Sequence, residues 1–363
     1  MEIGIIGLSQ CGKTTVFNAL TRVGAETAAH SATAPRIGVV KVPDPRLDSL
    51  AQMFHPKKVV PAEVRYADVA ASPKGFGKGE GFSGPLLNYL GKVDALLHVV
   101  RAFDDASIPH PEGSVDPERD MGIMDLELSF VDLALLEKRL ERLEISFKSA
   151  KAAEREVAHR EQALLVRIKA QLEKEVPLRE QTLSEEEARS IENYQLLTAK
   201  PLLTVVNIGE AQLPQAQALE ERFQARRRPQ QGLAILPGKL EAELGRLPGP
   251  DEAEFRAAMG LKESGLDRAI RLSYQLLGRI SFFTTASEEL RAWTIRQGTG
   301  VQRAAGKIHT DMERGFIRAE VIAFEDLARC GSLAEARKRG VLRLEGKTYQ
   351  VKDGDVVTIL FNV

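Results

Sequence analysis

The sequence predicts an α/β protein in which a doubly wound, mostly parallel sheet is interrupted by an α-helical coiled-coil hairpin and followed by a small α+β domain. Three observations support this fold class. In the first part of the chain, short apolar runs typical of buried strands alternate with helical patterns. A leucine-rich seam then breaks that alternation. After residue 278 the pattern changes again, to short strand-like runs separated by turn signals.

The strand predictions rest on short apolar runs. Residues 3–6 form such a run, which ends at Gly7 and precedes a helical pattern from Lys13 to Leu20. Parallel strands that are covered on both faces show continuous rather than alternating apolar residues. Because strands and helices alternate, the pattern favours a doubly wound sheet. The other strand candidates of this domain are residues 37–42, 64–68, 94–100 and 202–207.

Apolar residues in the middle of the chain follow the 3-4 spacing of a coiled coil. This seam predicts a hairpin of two long helices inserted into the α/β domain. The predicted boundaries are residues 1–125 and 196–278 for the α/β domain, 126–195 for the hairpin and 279–363 for the C-terminal domain. The seam residues are Leu133, Leu136, Leu140, Leu143 and Phe147 in the first helix, and Leu165, Ile168 and Leu172 in the second.

The composition is that of an ordinary globular protein, with 43% hydrophobic and 28% charged residues in a chain of 363. A net charge of −1 gives no overall attraction to nucleic acid or membrane, so any RNA contact must come from a local patch. Cys11 and Cys330 have neither disulfide-framework nor metal-ligand spacing, which suits a reducing compartment. The first residues lack a basic region and no long apolar run occurs. We therefore expect no signal peptide, no membrane span and a cytoplasmic location.

The segment from Gly7 to Thr14 matches the phosphate-binding pattern GxxxxGK[ST] in full. Its glycines let the backbone curl so that N–H groups point at phosphate oxygens, and the following helix offers the positive end of its dipole. We expect Lys13 to reach the β- and γ-phosphates and the Thr14 hydroxyl to bind Mg²⁺. The pattern therefore predicts a P-loop nucleoside triphosphatase. The expected nucleotide-binding residues of this loop are Gly7, Leu8, Ser9, Gln10, Cys11, Gly12, Lys13, Thr14 and Thr15.

A second Mg²⁺ residue is expected at the end of a strand beside the P-loop strand, and Asp68 fills that position. We assign Lys13, Thr14 and Asp68 as the catalytic residues. In G proteins this aspartate begins a DxxG motif, which is followed by the glutamine that orients the attacking water. Ala71 and Ser72 replace that glycine and that glutamine. The usual side chain for positioning water is therefore missing from this sequence.

The base site is predicted where a later strand ends, at residues 207–210. Guanine-specific G proteins carry NKxD there, and the aspartate accepts hydrogen bonds from guanine N1–H and N2–H₂. In this chain Asn207 is kept, Ile208 replaces the lysine and Glu210 replaces the aspartate. We expect Ile208 to pack on a purine face and the Asn207 amide to serve the adenine N6/N7 edge. The site therefore predicts ATP binding at least as good as GTP binding; the alternative is that Asn207 simply begins a turn.

Two further side chains allow more than one interpretation. Cys11 lies inside the phosphate loop, where a helix N-terminus and a neighbouring lysine lower a thiol pKa. It is either a redox-sensitive residue or a packed side chain of which only the backbone matters. His98 lies within a strand pattern, which favours core packing over an acid–base role.

With these motifs in place, nearly the whole chain resembles the YchF/Obg-like ATPase family. The C-terminal part is similar to the TGS domain of that family, which has a β-grasp fold. The resemblance implies a G-domain-like P-loop NTPase with an inserted helical hairpin and a TGS-like domain. The family-like strings outside the nucleotide motifs are residues 42–48, 78–81, 98–101, 263–268, 282–284, 291–295, 304–311, 315–321 and 361–363.

The resemblance implies a slow, Mg²⁺-dependent ATPase that prefers ATP to GTP and acts as a molecular switch on the ribosome, at the large subunit. It also implies RNA contact through the TGS-like domain, and we expect a monomer. The family's first switch carries a threonine; Thr33, one position later in this chain, is the candidate for a third Mg²⁺ residue. Related enzymes derive potassium dependence from a P-loop asparagine. Gln10 stands in its place, so K⁺ dependence is not carried over to this chain.

Two alternative functions remain open at this stage. One is a nucleotide-sensing binding module that has lost hydrolysis, which the residues Ala71 and Ser72 favour. The other is a GTP-specific, translation-associated GTPase, against which Ile208 and Glu210 argue. Phosphate release and nucleotide competition distinguish the three functions.

Overall fold

The computed structural model describes residues 1–22, 35–68, 82–147, 151–225, 230–261, 263–286 and 288–362. It forms two compact units. The first comprises Met1–Gly38 and Arg65–Leu272. The second comprises Val39–Val64 and Ser273–Val363. None of the helices in the described residues is long and apolar enough to cross a membrane.

The strands of the described residues fall into two sheets. In chain order they are β1 (Glu2–Ile6), β2 (Arg36–Lys41), β3 (Lys58–Val60), β4 (Glu63–Asp68), β5 (Ala95–Arg101), β6 (Leu202–Asn207), β7 (Gln231–Leu236), β8 (Arg279–Ala286), β9 (Glu289–Arg296), β10 (Phe316–Ala323), β11 (Arg343–Glu345) and β12 (Asp355–Phe361).

The helices vary in length from one turn to eight. They are α1 (Lys13–Thr21), α2 (Pro45–Phe54), α3 (Gly84–Lys92), α4 (Pro117–Ser146), α5 (Ala152–Leu172), α6 (Glu185–Ile191), α7 (Ala216–Gln224), α8 (Gly238–Leu244), α9 (Gly249–Ala258), α10 (Gly265–Leu276), α11 (Val301–Ile308), α12 (Thr310–Arg314), α13 (Phe324–Cys330) and α14 (Leu333–Lys338).

The first sheet has the strand order β2-β4-β1-β5-β6-β7 among the described residues. Strand β1 pairs in parallel with β4 and β5, and β6 pairs in parallel with β5 and β7. Strands β5 and β6 are buried along their whole length, which explains their continuous apolar sequences. The predicted α/β fold class is confirmed, and β1 lies where connections leave the sheet in opposite directions, a usual place for a ligand.

Helices α4 and α5 form the predicted hairpin. The apolar residues of its seam belong to one buried cluster, to which Ile191 and Leu196 also contribute. Helix α4 begins at Pro117, earlier than the apolar seam shows, because the Asp116 side chain caps it by accepting hydrogen bonds from the amides of Glu118 and Arg119. Met124 and Leu128 of α4 pack with Leu96 of the sheet, so the first turns of α4 belong to the α/β layer and its later turns to the hairpin.

The second sheet has the strand order β11-β10-β12-β8-β9-β3 among the described residues. Its apolar core includes Phe282, Val321 and Val357, against which Trp293 packs. Strand β3 pairs in parallel with β9, a pairing that the sequence did not predict. The Arg46 guanidinium, at the start of α2, is paired with Asp44 and Asp353 at 2.8 Å each. Residues far apart in the chain therefore build this unit together.

Candidate nucleotide site

The phosphate loop connects the end of β1 to the start of α1. Gly7 and Gly12 have φ angles of 153° and 97°, which favour glycine. A Cβ atom on Gly7 would lie 2.4 Å from the Val99 carbonyl oxygen, and one on Gly12 would lie 2.3 Å from Asn207 Nδ2. Neither position has room for a side chain. Both glycines of the motif are therefore fixed by close backbone and amide neighbours.

Lys13 and the residues before it define the interior of the loop. The Lys13 ammonium donates hydrogen bonds to the carbonyl oxygens of Gly7 at 2.9 Å and Leu8 at 2.8 Å. Ser9 and Gln10 are exposed, and Leu8 is buried. The positive charge is thus held inside the loop, on two neutral acceptors that a phosphate oxygen can replace.

Thr14 and Asp68 meet beside this loop. Thr14 Oγ1 donates a hydrogen bond to Asp68 Oδ2 at 2.9 Å. Their proximity follows from the sheet, because β4 pairs with β1 and places Asp68 opposite Ile5. The Asp68 side chain is almost fully buried. A hydroxyl and a carboxylate at this distance supply the oxygen ligands that Mg²⁺ prefers.

The family-like string 78–81 and three single residues named in the sequence lie outside the described residues. The three residues are the metal candidate Thr33 and the two switch positions Ala71 and Ser72.

Asn207 has a different set of contacts from the one expected. Its Nδ2 donates to the Cys11 carbonyl at 3.1 Å, and its Oδ1 accepts from the Gly238 amide at 2.9 Å. The side chain is buried, and both ends of its amide are engaged within the protein. Asn207 therefore ties the phosphate loop to the β7–α8 connection instead of presenting a free amide to an adenine edge.

The two neighbouring base-site residues differ in exposure. Ile208 is buried in an apolar cluster with Val206, Phe223 and Leu233, so its side chain does not lie open to a purine face as expected. Its amide donates to the Leu236 carbonyl at 3.0 Å. Glu210 is exposed at the start of a short 3₁₀ helix. The carboxylate of this segment is accessible, and the isoleucine is structural.

Phe103, which lies in the loop after β5, was not among the predicted site residues. Its ring comes within 3.9 Å of a Cβ built on Gly12, and its own Cβ within 3.6 Å of a Cβ built on Gly209. Phe103 is half-buried between the phosphate loop and the loop after β6. The available signal was its position directly after a buried parallel strand, where ligand-contacting residues of such sheets lie.

Cys11 and His98, each of which the sequence left with two interpretations, are both buried. Burial raises the pKa of the Cys11 thiol despite the lowering effect of Lys13, which favours a packed thiol over a redox-sensitive one. Burial also lowers the pKa of His98 to about 3, with smaller contributions from the positive charges of Lys13 and Arg179. His98 is therefore a neutral core residue at physiological pH.

Comparison with known proteins gives matches over the whole chain. Residues 279–362 match the family model YchF-GTPase_C, described as a protein of unknown function (DUF933). The ribosome-binding ATPase YchF of Bacillus subtilis is 40% identical over 368 residues, and the alignment covers 100% of both chains. The Obg-like ATPase 1 of Caenorhabditis elegans is 36% identical over 100% of this chain and 92% of its own. The solved structure of the Schizosaccharomyces pombe YchF GTPase has a TM-score of 0.85, with 32% identity, and covers 99% of this chain and 97% of its own.

Proposed function

This chain belongs to the YchF/Obg-like ATPase family, and we propose that it is a slow, Mg²⁺-dependent ATPase that acts as a molecular switch on the ribosome. The observation that carries the proposal is the site itself. A complete phosphate loop lies at the end of β1, and Thr14 and Asp68 stand 2.9 Å apart beside it. Two relatives that match this chain over 100% and 92% of their own length are named as ATPases.

The phosphate loop supports triphosphate binding through its backbone and one charge. The amides from Leu8 to Thr15 and the positive end of helix α1 stabilise the phosphates. Lys13 exchanges its two carbonyl partners for β- and γ-phosphate oxygens and stabilises the charge on the transferring group. The role of these residues is positioning and charge stabilisation.

Thr14 and Asp68 fit a hydrated Mg²⁺ ion. The ion, when bound, neutralises charge on the β- and γ-phosphates. Thr14 would hold the ion through its hydroxyl and Asp68 through its carboxylate. Thr33 is retained as the proposed third residue. The hydrogen bond between Thr14 and Asp68 supports the assignment, because it brings both ligand oxygens to one side of the phosphate loop.

The base site supports ATP over GTP. A guanine site needs an acceptor carboxylate placed to accept from N1–H and N2–H₂ together. The exposed Glu210 has a longer side chain than the aspartate of such sites, and adenine N1 is itself an acceptor. We assign Asn207, Ile208 and Glu210 to the base site, the first two by shaping its backbone. Phe103 lies beside Gly12 and Gly209, and we assign its ring to the same site as the aromatic group against which a purine packs.

The cellular setting is proposed from the relatives alone. The Bacillus subtilis protein is named a ribosome-binding ATPase, and we extend ribosome binding to this chain. The large subunit as the binding site, RNA contact through the TGS-like domain, a cytoplasmic location and a monomeric state belong to the same proposal. No K⁺ requirement is included.

Slow hydrolysis is proposed because Ala71 and Ser72 provide no side chain that orients water. Water positioning then falls to the backbone, the metal or the ribosome. The same two residues favour one other candidate, a nucleotide sensor that no longer hydrolyses ATP.

Phosphate release from ATP, measured with and without ribosomes, distinguishes the slow ATPase from the nucleotide sensor. We expect the purified protein to release phosphate slowly. The release rate should fall at least about 100-fold in Lys13→Ala, because the lysine stabilises transition-state charge. Nucleotide binding without release above background, even with ribosomes, contradicts the ATPase and supports the sensor. Co-sedimentation with ribosomes in the same samples tests the partner.

A further inference from the structure

Two loops form the wall of the base site, and the backbone already joins them. One loop follows β5 and carries Ala102 and Phe103. The other follows β6 and begins at Asn207. The Asn207 carbonyl accepts hydrogen bonds from the amides of Ala102 at 2.8 Å and Phe103 at 3.2 Å. The position of the aromatic ring is therefore coupled to the loop that carries Glu210.

Gln212 joins the same two loops through its side chain. Its Oε1 accepts from the Gly209 amide at 2.7 Å, and its Nε2 donates to the Ala102 carbonyl at 3.0 Å. Capping the short helix that begins at Glu210 requires only the bond to the Gly209 amide. The second bond reaches a loop that is remote in sequence, and it satisfies a carbonyl next to Phe103.

Arg101 fixes the Phe103 loop from the other side. Its buried guanidinium donates to the carbonyl oxygens of Phe103, Asp105 and Ile108, at 3.2, 3.3 and 2.9 Å. It also lies 4.5 Å from the centroid of the Phe103 ring. The loop is thus anchored to the sheet by one side chain and to the base loop by another.

We propose that Gln212 is a positioning residue for base recognition: it clamps the loop of Phe103 to the loop of Glu210 and so sets the width of the slot for the purine. The proposal rests on the proposed nucleotide site. Gln212 does not touch the phosphate loop in any of its described hydrogen bonds. Its loss therefore affects nucleotides that carry a base and spares a ligand that has only phosphates.

The test compares ATP with inorganic triphosphate, both with Mg²⁺, by calorimetric titration of the full-length protein. Gln212→Met removes both hydrogen bonds at nearly constant volume. Gln212→Glu keeps the acceptor for the Gly209 amide and loses the donor to Ala102. The matched control is Gln217→Met, which removes an exposed glutamine of helix α7 whose side chain, among the described residues, donates to Glu221 at 3.1 Å.

For Gln212→Met we expect the Kd and KM for ATP to rise about 5- to 30-fold, since two hydrogen bonds are lost. We expect kcat to stay within about twofold and the Kd for triphosphate to stay unchanged. Gln212→Glu should also raise both constants, because it places a carboxylate oxygen against the Ala102 carbonyl oxygen, and Gln217→Met should raise neither.

Three results overturn the proposal in different ways. An unchanged Kd for ATP in Gln212→Met shows that the clamp does not position the base site. An equal loss of ATP and triphosphate binding shows a general effect on the domain. Wild-type protein that binds neither ligand refutes the nucleotide site itself, and the clamp falls with it.

Discussion

At the scale of single residues, the phosphate loop is specified by what lies against its glycines. Gly12 combines a φ of 97° with the Asn207 amide at the place where a Cβ would be. The motif predicted the glycine, but only the structure shows that Asn207 is the reason for it. The same contact explains how a residue of the base motif controls the shape of the phosphate loop.

Gly12→Ala should lower the free energy of unfolding by about 2–4 kcal/mol and weaken ATP binding at least about tenfold, because both the backbone angle and the space exclude a methyl group. Urea denaturation and ATP titration check this. Gly84→Ala is the control, since a Cβ there meets nothing within 4 Å. Equal stability and affinity in the two variants would contradict the account of the loop.

His98 supplies a pH-dependent prediction. Its pKa is lowered by burial to about 3 in the folded protein, and its Nε2 finds no hydrogen-bond partner among the described residues. A histidine whose folded pKa lies below its unfolded value, about 6.5, contributes stability that is present above that value. This stability is lost as the pH falls from about 6.5 toward 3.

Relative to His98→Leu, wild type should therefore lose about 2 kcal/mol of unfolding free energy between pH 7 and pH 5. Urea denaturation of both proteins at the two pH values measures the difference, and the constant cost of the substitution cancels. A difference that stays constant, or that rises toward pH 5, speaks against a buried neutral histidine.

The site residues differ in how far the local sequence alone could identify them. Gly7, Lys13 and Thr14 belong to a contiguous motif, and Asp68 follows from its place at a strand end. The sequence could not show that the amide of Asn207 is engaged, because that depends on the start of α8, nor that Ile208 is buried, because that depends on β7 and α7. Phe103 and Gln212 belong to none of the motifs, and their link became visible through their contacts in the structure.

At the scale of elements, the helical hairpin is held by its apolar seam. Leu165 on α5 is fully buried, and its neighbour Val166 on the same helix is 51% exposed. Leu165→Ala should lower the free energy of unfolding by about 2–5 kcal/mol, because it removes buried methyl groups and leaves a cavity. Val166→Ala should change it by less than about 0.5 kcal/mol.

Urea denaturation followed by circular dichroism measures both variants of α5. Similar losses in the two variants would mean that the seam does not face the hairpin's core.

Elements with long sequence patterns were predictable, as the two hairpin helices show. Strand β3 was not, because its three residues are too few to form a pattern and its partner β9 lies far along the chain.

At the scale of the whole molecule, the order of strand-like and helical patterns in the sequence predicted the fold class. It did not predict which segments assemble into the second compact unit. The three-domain division stays a prediction. The compact unit that holds the second sheet also takes in Val39–Val64, which the sequence placed with the nucleotide domain. Pairings between distant segments such as β3 and β9 leave no local trace in a sequence.

The molecule as a whole is proposed to be an ATP-preferring P-loop switch, and competition between nucleotides tests this most directly. Fluorescent ATP bound to the full-length protein in Mg²⁺ is displaced by unlabelled ATP or GTP. The account predicts that ATP displaces the probe at a concentration equal to or lower than GTP does. Displacement by GTP at a concentration at least about tenfold lower would contradict the base site built on Asn207, Glu210 and Phe103.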